Sequence, residues 1–574
     1  MDNKTINIGS SDFVKLIQRG YFYVDKTLMI KDVIDSGSEA LLFTRPRRFG
    51  KSLNMSMLKA YFEMNADTAE LFRDLKIWQC GERYRAEQGK YPVIYLSFFD
   101  FSEPDWEQAL NYLKKAISDE FIRHNCVCEG DILIPVEKMQ FQSVMEASAS
   151  ITYYKSSLKD LSRWLYRFYG VMPIIIIDEY DKPLQKAQTS GYYDEMIAFL
   201  KGFFTGGLKD NPSLMKGILT GVLRIAKESI FTGMNNFDVY SVFSNKYSEY
   251  FGFTEAEVQA IAECYGTQQD MAEVKNWYDG YCFGETEIYN PWSVLQYFSR
   301  DRVPEAYWLR TSGNDIIHTM FKNVSARMLE DLTALVQGKA IMATIPVDIV
   351  YPDLENDTSG SILYAVLMMT GYLKQVDAKR VGGDERTGRG LKYRSKFMIP
   401  NKEILEVYQV EILEYFEQYC RPDMSDVIQE AITANDVDTL QAELSRFLMQ
   451  STSNFDGAYE VFYHGLMLGN VAMMREGYFV TSNLESGEGR FDIQMEPKKS
   501  VLPGIIMELK SVREEYADEA ARDRSLEKEA ADALAQIEEN EYITNLRMRG
   551  VKSIILYGMA FKGKHAKVLS KVLE

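Results

Sequence analysis

Four isoleucines in a row, Ile174-Ile175-Ile176-Ile177, run straight into two acids, Asp178-Glu179. A strand with one wet face must alternate apolar and polar side chains. An apolar run without alternation fits a strand buried on both faces, the kind found in parallel sheets covered by helices. Such a strand delivers its last residues to the carboxyl edge of the sheet, where open α/β folds bind ligands. Shorter apolar runs at 40–43, 92–97 and 217–221 alternate with helical patterns, so residues from about 40 to 235 read as βα units around one parallel sheet.

The run at 40–43 opens onto Arg45-Pro46-Arg47-Arg48-Phe49-Gly50-Lys51-Ser52, and a helical pattern follows over 53–62. Against the phosphate-loop pattern G-x-x-x-x-G-K-[ST], Gly50, Lys51 and Ser52 are kept and Arg45 stands at the first glycine. Gly50 lets the backbone approach a phosphate, Lys51 reaches the β- and γ-phosphates of a nucleotide, and Ser52 can ligate Mg²⁺ at a helix N-terminus. Arg45, Arg47 and Arg48 add three positive charges without a nearby acid. The bland alternative is a basic loop that caps a helix. The acidic strand end weighs against it: Asp178 would hold Mg²⁺ through water, and Glu179 would polarise the attacking water as a general base. Thr220 ends a further strand, with Arg224 just beyond, where additional-strand NTPases place a γ-phosphate sensor. Ordinary strand-end capping accounts for Thr220 equally well.

With 574 residues, the chain has room for three or four domains of about 150 residues. Its 65 basic and 83 acidic residues leave a net charge of −18, which excludes a protein coated in nucleic-acid-binding surface but leaves room for a local basic groove. No apolar stretch approaches the ~20 residues of a membrane span, and the first residues lack a signal-peptide core. The expectation is a cytoplasmic protein without a membrane partner. The six cysteines offer one close pair, Cys126 and Cys128, with no second pair to complete a zinc site. From about 245 to 340 the pattern turns helical, opened by the capping box Thr254-Glu255-Ala256-Glu257. Further helices and an exposed loop at 381–390 follow. The last ~120 residues read as α-β-β-β-α-β, with a helix at 456–475, strands near 478–482, 490–495 and 504–511, a charged helix at 518–541 and a strand at 553–557.

The stretches Tyr23-Val24-Asp25-Lys26-Thr27, Arg45 to Ser52, Asp178-Glu179-Tyr180-Asp181-Lys182-Pro183, Trp277-Tyr278-Asp279-Gly280-Tyr281, Tyr289-Asn290-Pro291-Trp292 and Thr370-Gly371-Tyr372-Leu373 resemble the bacterial AAA-ATPase-like family. Its members commonly carry a C-terminal PD-(D/E)XK nuclease domain. The resemblance implies an α/β multidomain chain. Residues 1–240 would form a P-loop NTPase core of the additional-strand type, 241–340 a helical or winged-helix lid, 341–450 a mostly helical connection and 451–574 the nuclease-like domain. The arginine-rich loop matches the family's own version, so nucleotide contacts are expected from Arg47, Arg48, Phe49, Gly50, Lys51, Ser52, Asp178, Thr220 and Arg224.

In the C-terminal segment Asp492 precedes Glu508-Leu509-Lys510 by sixteen residues. Glu508 and Lys510 lie two apart on a strand and share one face. Asp492, near the head of a neighbouring strand, could converge with Glu508 on one Mg²⁺ or Mn²⁺, and Lys510 would orient water or stabilise charge on the scissile phosphate. E-x-K alone is weak, because edge strands carry charged residues routinely. Its value comes from the surrounding pattern. By resemblance Glu460 matches an auxiliary metal ligand and Gln536 a polar residue behind the site, although Glu460 also reads as a solvent-facing helix residue, and His464 reads as packing. The eleven acids of 513–542 would repel phosphates unless that helix lies behind the sheet. Basic residues that could line a DNA path instead are Arg386, Arg389, Lys392, Arg394, Lys396, Arg475, Arg490, Lys498 and Lys499. The expected activity is an ATP-binding, ATP-hydrolysing protein with a fused metal-dependent nuclease acting on DNA, RNA being open. The alternative is a signalling or scaffold NTPase whose C-terminal domain binds without cutting. A homo-oligomer stays open, since no residue is assignable as an arginine finger.

Overall fold

The computed structural model describes residues 4–223, 237–266, 270–308, 326–336, 338–347, 349, 360–382, 390–408, 424–451, 463, 466–468, 470–471, 474, 477–482, 485–486, 489–490, 492–499, 501–512, 518–539 and 542–574. Two compact units emerge: Met1–Tyr307 with Met342–Lys396, and Trp308–Ile341 with Phe397–Glu574.

In the first unit, Ala40–Thr44 (β1), Val93–Ser97 (β2), Ile174–Asp178 (β3), Lys216–Gly221 (β4) and Phe237–Tyr240 (β5) form a parallel sheet in the order β2-β3-β4-β1-β5. β1, β3 and β4 are buried at every position, β1 and β3 as their apolar runs require and β4 with Lys216 and Thr220 enclosed as well. The helix Lys51–Phe62 leaves the end of β1 and packs against β2, β3 and β4. β4 lies between β1 and β3, the additional-strand arrangement, and its register aligns Thr220 with Phe43 and Gly221 with Thr44. The carboxyl ends of β1, β4 and β3 therefore stand side by side. β5 carries no long apolar run and was not legible in the sequence; its pairing with β1 defines it.

Beyond the sheet, helices Glu255–Tyr265, Asp270–Tyr278 and Pro291–Ser299 surround a hairpin, Tyr281–Phe283 (β6) with Thr286–Ile288 (β7). The expected capping box forms at Thr254 and Glu257. Val258, Ile261, Val274, Tyr278, Tyr289, Val294 and Tyr297 make the core, and Phe22 and Val24 of the N-terminal segment pack onto it. Lys26 lies in the same segment. Its ammonium bonds the Glu257 carboxylate (2.6 Å) and the Glu249 carbonyl (2.6 Å), pinning the chain start to the capped helix. Further on, Ile341–Pro346 (β8), Lys374–Gly382 (β9) and Lys392–Met398 (β10) form a small sheet in the order β8-β10-β9.

In the second unit, Tyr478–Ser482 (β11), Ile493–Pro497 (β14), Gly504–Ser511 (β15), Ile554–Lys562 (β16) and His565–Leu573 (β17) form a mixed sheet in the order β11-β14-β15-β16-β17. Only β15 and β16 pair in parallel, joined by the helix Glu519–Glu539. Glu485–Ser486 (β12) and Gly489–Arg490 (β13) make a short hairpin. The strand expected at 490–495 is thus split, and Asp492 sits at the break. β17 was not foreseen, because lysines at 567 and 571 mask its alternating apolar face. Most of the helix expected at 456–475 lies outside the described residues.

Candidate functional site

Gly50 caps the helix Lys51–Phe62 with a φ of 79°, in the left-handed region that glycine enters without strain. Lys51 turns back under the loop. Its ammonium donates to the carbonyls of Arg45 (3.3 Å) and Pro46 (3.1 Å) and pairs with Glu179 at 3.3 Å. Glu179 holds a φ of 55°, costly for a non-glycine residue, and this turn after β3 carries its carboxylate to Lys51. Behind it, the Asp178 carboxylate accepts from the Thr220 hydroxyl at 2.6 Å and from the Ser52 hydroxyl. Burial, then the charge of Glu179, push Asp178 above the usual carboxylate range. Lys51, Ser52, Asp178, Glu179 and Thr220 thus converge at one sheet edge. Arg224 lies outside the described residues.

The arginines divide differently from the sequence reading. Arg45 is not a loop charge facing a ligand but a fully buried core residue. Its guanidinium donates to the carbonyls of Thr44 (2.8 Å) and Tyr240 (2.7 Å) and lies over the rings of Phe251 and Phe283. Burial without an acid draws it down to about 9. Arg47 donates to Gln185 at 3.0 Å, and Arg48, with a φ of 71°, lies 4.4 Å from the Trp292 ring. Arg48 also feels Glu179, so the loop does have an acid nearby. The Phe49 ring is buried against Tyr281 and Phe283, which leaves only its backbone for a phosphate.

Asp181 is the residue the sequence reading left without a role. Fully enclosed, it accepts from the amides of Val222 (2.9 Å) and Leu223 (2.8 Å), while the Tyr180 hydroxyl donates to the Leu223 carbonyl (2.7 Å). The segment after β4 is thereby tied to the acids after β3. Burial, then Glu179, raise Asp181 to about 6.

In the second unit, Ile493 pairs with Met507, which sets Asp492 beside Glu508. The Leu509 amide donates to Asp492 at 2.8 Å, holding the carboxylate across the strand. Glu508 is buried, and its Oε2 has no hydrogen-bond partner. Burial, then the charge of Asp492, push its carboxyl to about 8. Lys510 faces Glu508 at 3.4 Å and donates to Gln536 at 2.5 Å; Gln536 in turn donates to Glu508 (2.7 Å) and to the Tyr542 hydroxyl (3.3 Å). Gln536 therefore orients both halves of the E-x-K pair, and buried Tyr542, six residues on, is the partner sequence reasoning missed. Ile506 packs against Ile537, so the helix Glu519–Glu539 covers the face that bears Glu508 and Lys510. The helix therefore lies on the site's side of the sheet, the arrangement in which its acids would repel phosphates unless they face away. Gly558, opposite Glu508, allows the approach: a Cβ there would sit 2.2 Å from the Ala530 carbonyl. Glu519, Asp523, Glu527, Asp532, Glu538 and Glu539 point away from the sheet, exposed. Glu460, His464, Arg386, Arg389 and Arg475 lie outside the described residues.

Residues 7–231 match the family model described as a predicted AAA-ATPase, and residues 458–571 match that of the PD-(D/E)XK nuclease superfamily. The chain carries both domains. Over its whole length it is also similar to the uncharacterized protein in the vnfD 5' region of Azotobacter chroococcum mcd 1, at 25% identity with 100% of this chain and 99% of that protein covered. Among the described residues no helix is long and apolar enough to cross a membrane.

PD-(D/E)XK domains generally use a divalent metal, and the donors present fit one. Two carboxylates repel each other, one of them buried with an orphaned oxygen, and a cation would satisfy both conditions. Among the described residues no third acid, histidine or cysteine joins them. The AAA-ATPase-like domain offers Asp178 and the Ser52 hydroxyl for the ion that accompanies a nucleotide.

Proposed function

We propose that this protein binds and hydrolyses ATP and that its C-terminal domain is a divalent-metal-dependent nuclease acting on DNA in the cytoplasm. The ATPase core spans 1–240, the lid 241–340, the connection 341–450 and the nuclease domain 451–574. One observation carries the reading: in each unit the lysine and glutamate of its motif meet within 3.4 Å, beside a second carboxylate. Mg²⁺ or Mn²⁺ would neutralise phosphate charge when held by Ser52 and Asp178, or by Asp492 and Glu508. Lys51 would exchange its loop carbonyls for the β- and γ-phosphate oxygens. Glu179 would take the proton of the water that attacks the γ-phosphorus, as the bond to the bridging oxygen breaks and ADP departs. Lys510, the more exposed member of its pair, would stabilise charge on the scissile phosphate. A licensing role for ATP in defence against foreign DNA suits the fusion.

The deciding experiment incubates purified protein with plasmid and linear DNA, with and without ATP and Mg²⁺ or Mn²⁺. Metal-dependent cleavage lost in Asp492→Ala and Glu508→Ala supports the reading. Parental cleavage by both variants would leave the domain as a binding module.

A further inference from the structure

β10 is the central strand of its sheet, flanked by β8 and β9. Lys392, Arg394 and Lys396 alternate along it and are all exposed, which places three cations on one face. At a strand rise of about 3.4 Å they stand roughly 7 Å apart in a line. Tyr393 and Ser395 turn the other way. The Tyr393 ring stacks on Phe243 at 4.2 Å with planes 2° apart, and the Ser395 hydroxyl donates to the Val376 carbonyl at 2.8 Å. The inner face is thus fastened and the outer row cannot roll inward.

Lysines on an edge strand are explained as protection against aggregation. A central strand has no such need, and like charges two residues apart repel. Among the described residues no side chain of the three has a hydrogen-bond or ion-pair partner. The exposed residues of the neighbouring β9 are Asp377, Ala378, Lys379, Arg380 and Val381, one acid against two bases. In a chain of net charge −18, this row is a local reversal of sign. A line of evenly spaced cations on a flat sheet complements a line of phosphates.

We propose that the outer face of β10 is a docking surface for the phosphate backbone of DNA. The inference rests on the reading of the chain as a DNA-acting enzyme and adds that the unit bearing the ATPase site grips the substrate. Backbone contacts of this kind give affinity without sequence preference, and each releases counterions.

The test measures binding of a labelled DNA duplex to the full chain by fluorescence anisotropy across a salt series, in chelator so that nothing is cut. Two variants are compared with the parent, one with Lys392→Glu, Arg394→Glu and Lys396→Glu together, the other with glutamine at the same positions. Three lost phosphate contacts should flatten the slope of log affinity against log salt by about 2.7, at ~0.9 per contact. ATP affinity should stay parental. An unchanged slope in the folded glutamine variant, or a parent that binds DNA no more tightly than acidic vesicles, overturns the surface. Plasmid cleavage run in parallel separates the two levels: cleavage with an unchanged slope sinks the surface alone, whereas a flattened slope without any cleavage keeps the surface and sinks the nuclease reading.

Discussion

Each unit holds a lysine and a glutamate at nearly the same separation, Lys51–Glu179 at 3.3 Å and Lys510–Glu508 at 3.4 Å, yet the pairs are built inside out. In the AAA-ATPase-like domain the lysine side chain is the enclosed member, 3% exposed against 14% for the glutamate. In the nuclease-superfamily domain the glutamate is enclosed, 5% against 31%. The enclosed lysine is satisfied by two loop carbonyls and an acid; the enclosed glutamate keeps one oxygen unpaired. A buried charge is costly without a partner, so the first pair would suit an incoming anion and the second an incoming cation.

The largest effects that would break this comparison lie in the carboxylates. Asp492→Ala or Glu508→Ala should abolish cleavage and metal binding while ATP affinity, read by calorimetry, stays parental. Next comes Glu179→Gln, which should retain ATP binding and slow hydrolysis by ~10²–10⁴-fold, the range for loss of a general base. Lys51→Ala should instead lose ATP binding itself, and equal affinity in that variant would remove the phosphate-loop assignment. Lys510→Ala should cost ~10²-fold in cleavage, in line with loss of one electrostatic donor, yet keep its metal affinity. If metal binding falls as far as in Glu508→Ala, the two nuclease charges do not divide their labour as stated.

The smallest effect sharpens the contrast through a pair with no chemistry to do. Glu120 is buried, but its carboxylate accepts from the Tyr95 amide (2.8 Å) and meets both His124 and Arg123. Burial opposes its charge, yet the His124 and Arg123 contacts win and hold it at about 2. A depressed carboxylate stabilises the fold above its unfolded value, and that contribution fades as the pH falls through the folded one. Glu120→Gln should therefore cost on the order of 2 kcal/mol at neutral pH, with the gap in Tm full above about pH 5 and closing towards pH 2. ATP turnover per folded molecule should not change.

Much of this was legible because local pattern suffices for it. The isoleucine run declared β3, Gly50-Lys51-Ser52 declared the loop, and the alternation Ile506-Glu508-Lys510 declared one face of β15. What escaped depends on residues far apart in sequence. Arg45 reads as a loop charge until Phe251 and Phe283, some two hundred residues on, close around it. β5 exists by virtue of pairing with β1. Asp181 has no readable role until the amides of Val222 and Leu223 arrive at it.

The position of β4 has a consequence for how this AAA-ATPase-like domain can change. Because β4 separates β1 from β3, the loop that would hold phosphates and the acids that would activate water share no strand-to-strand bond. Thr220 spans that gap only while it faces Asp178, and side chains on a strand face opposite ways at successive positions. A slip of one residue would present Leu219 or Gly221 in its place and would set side chains where Gly217 and Gly221 now leave room for Leu208 and Tyr180. The domain should therefore depend on the length of β4 as much as on its residues: an insertion or deletion of one residue would carry Thr220 away from Asp178 and drive side chains towards Leu208 and Tyr180.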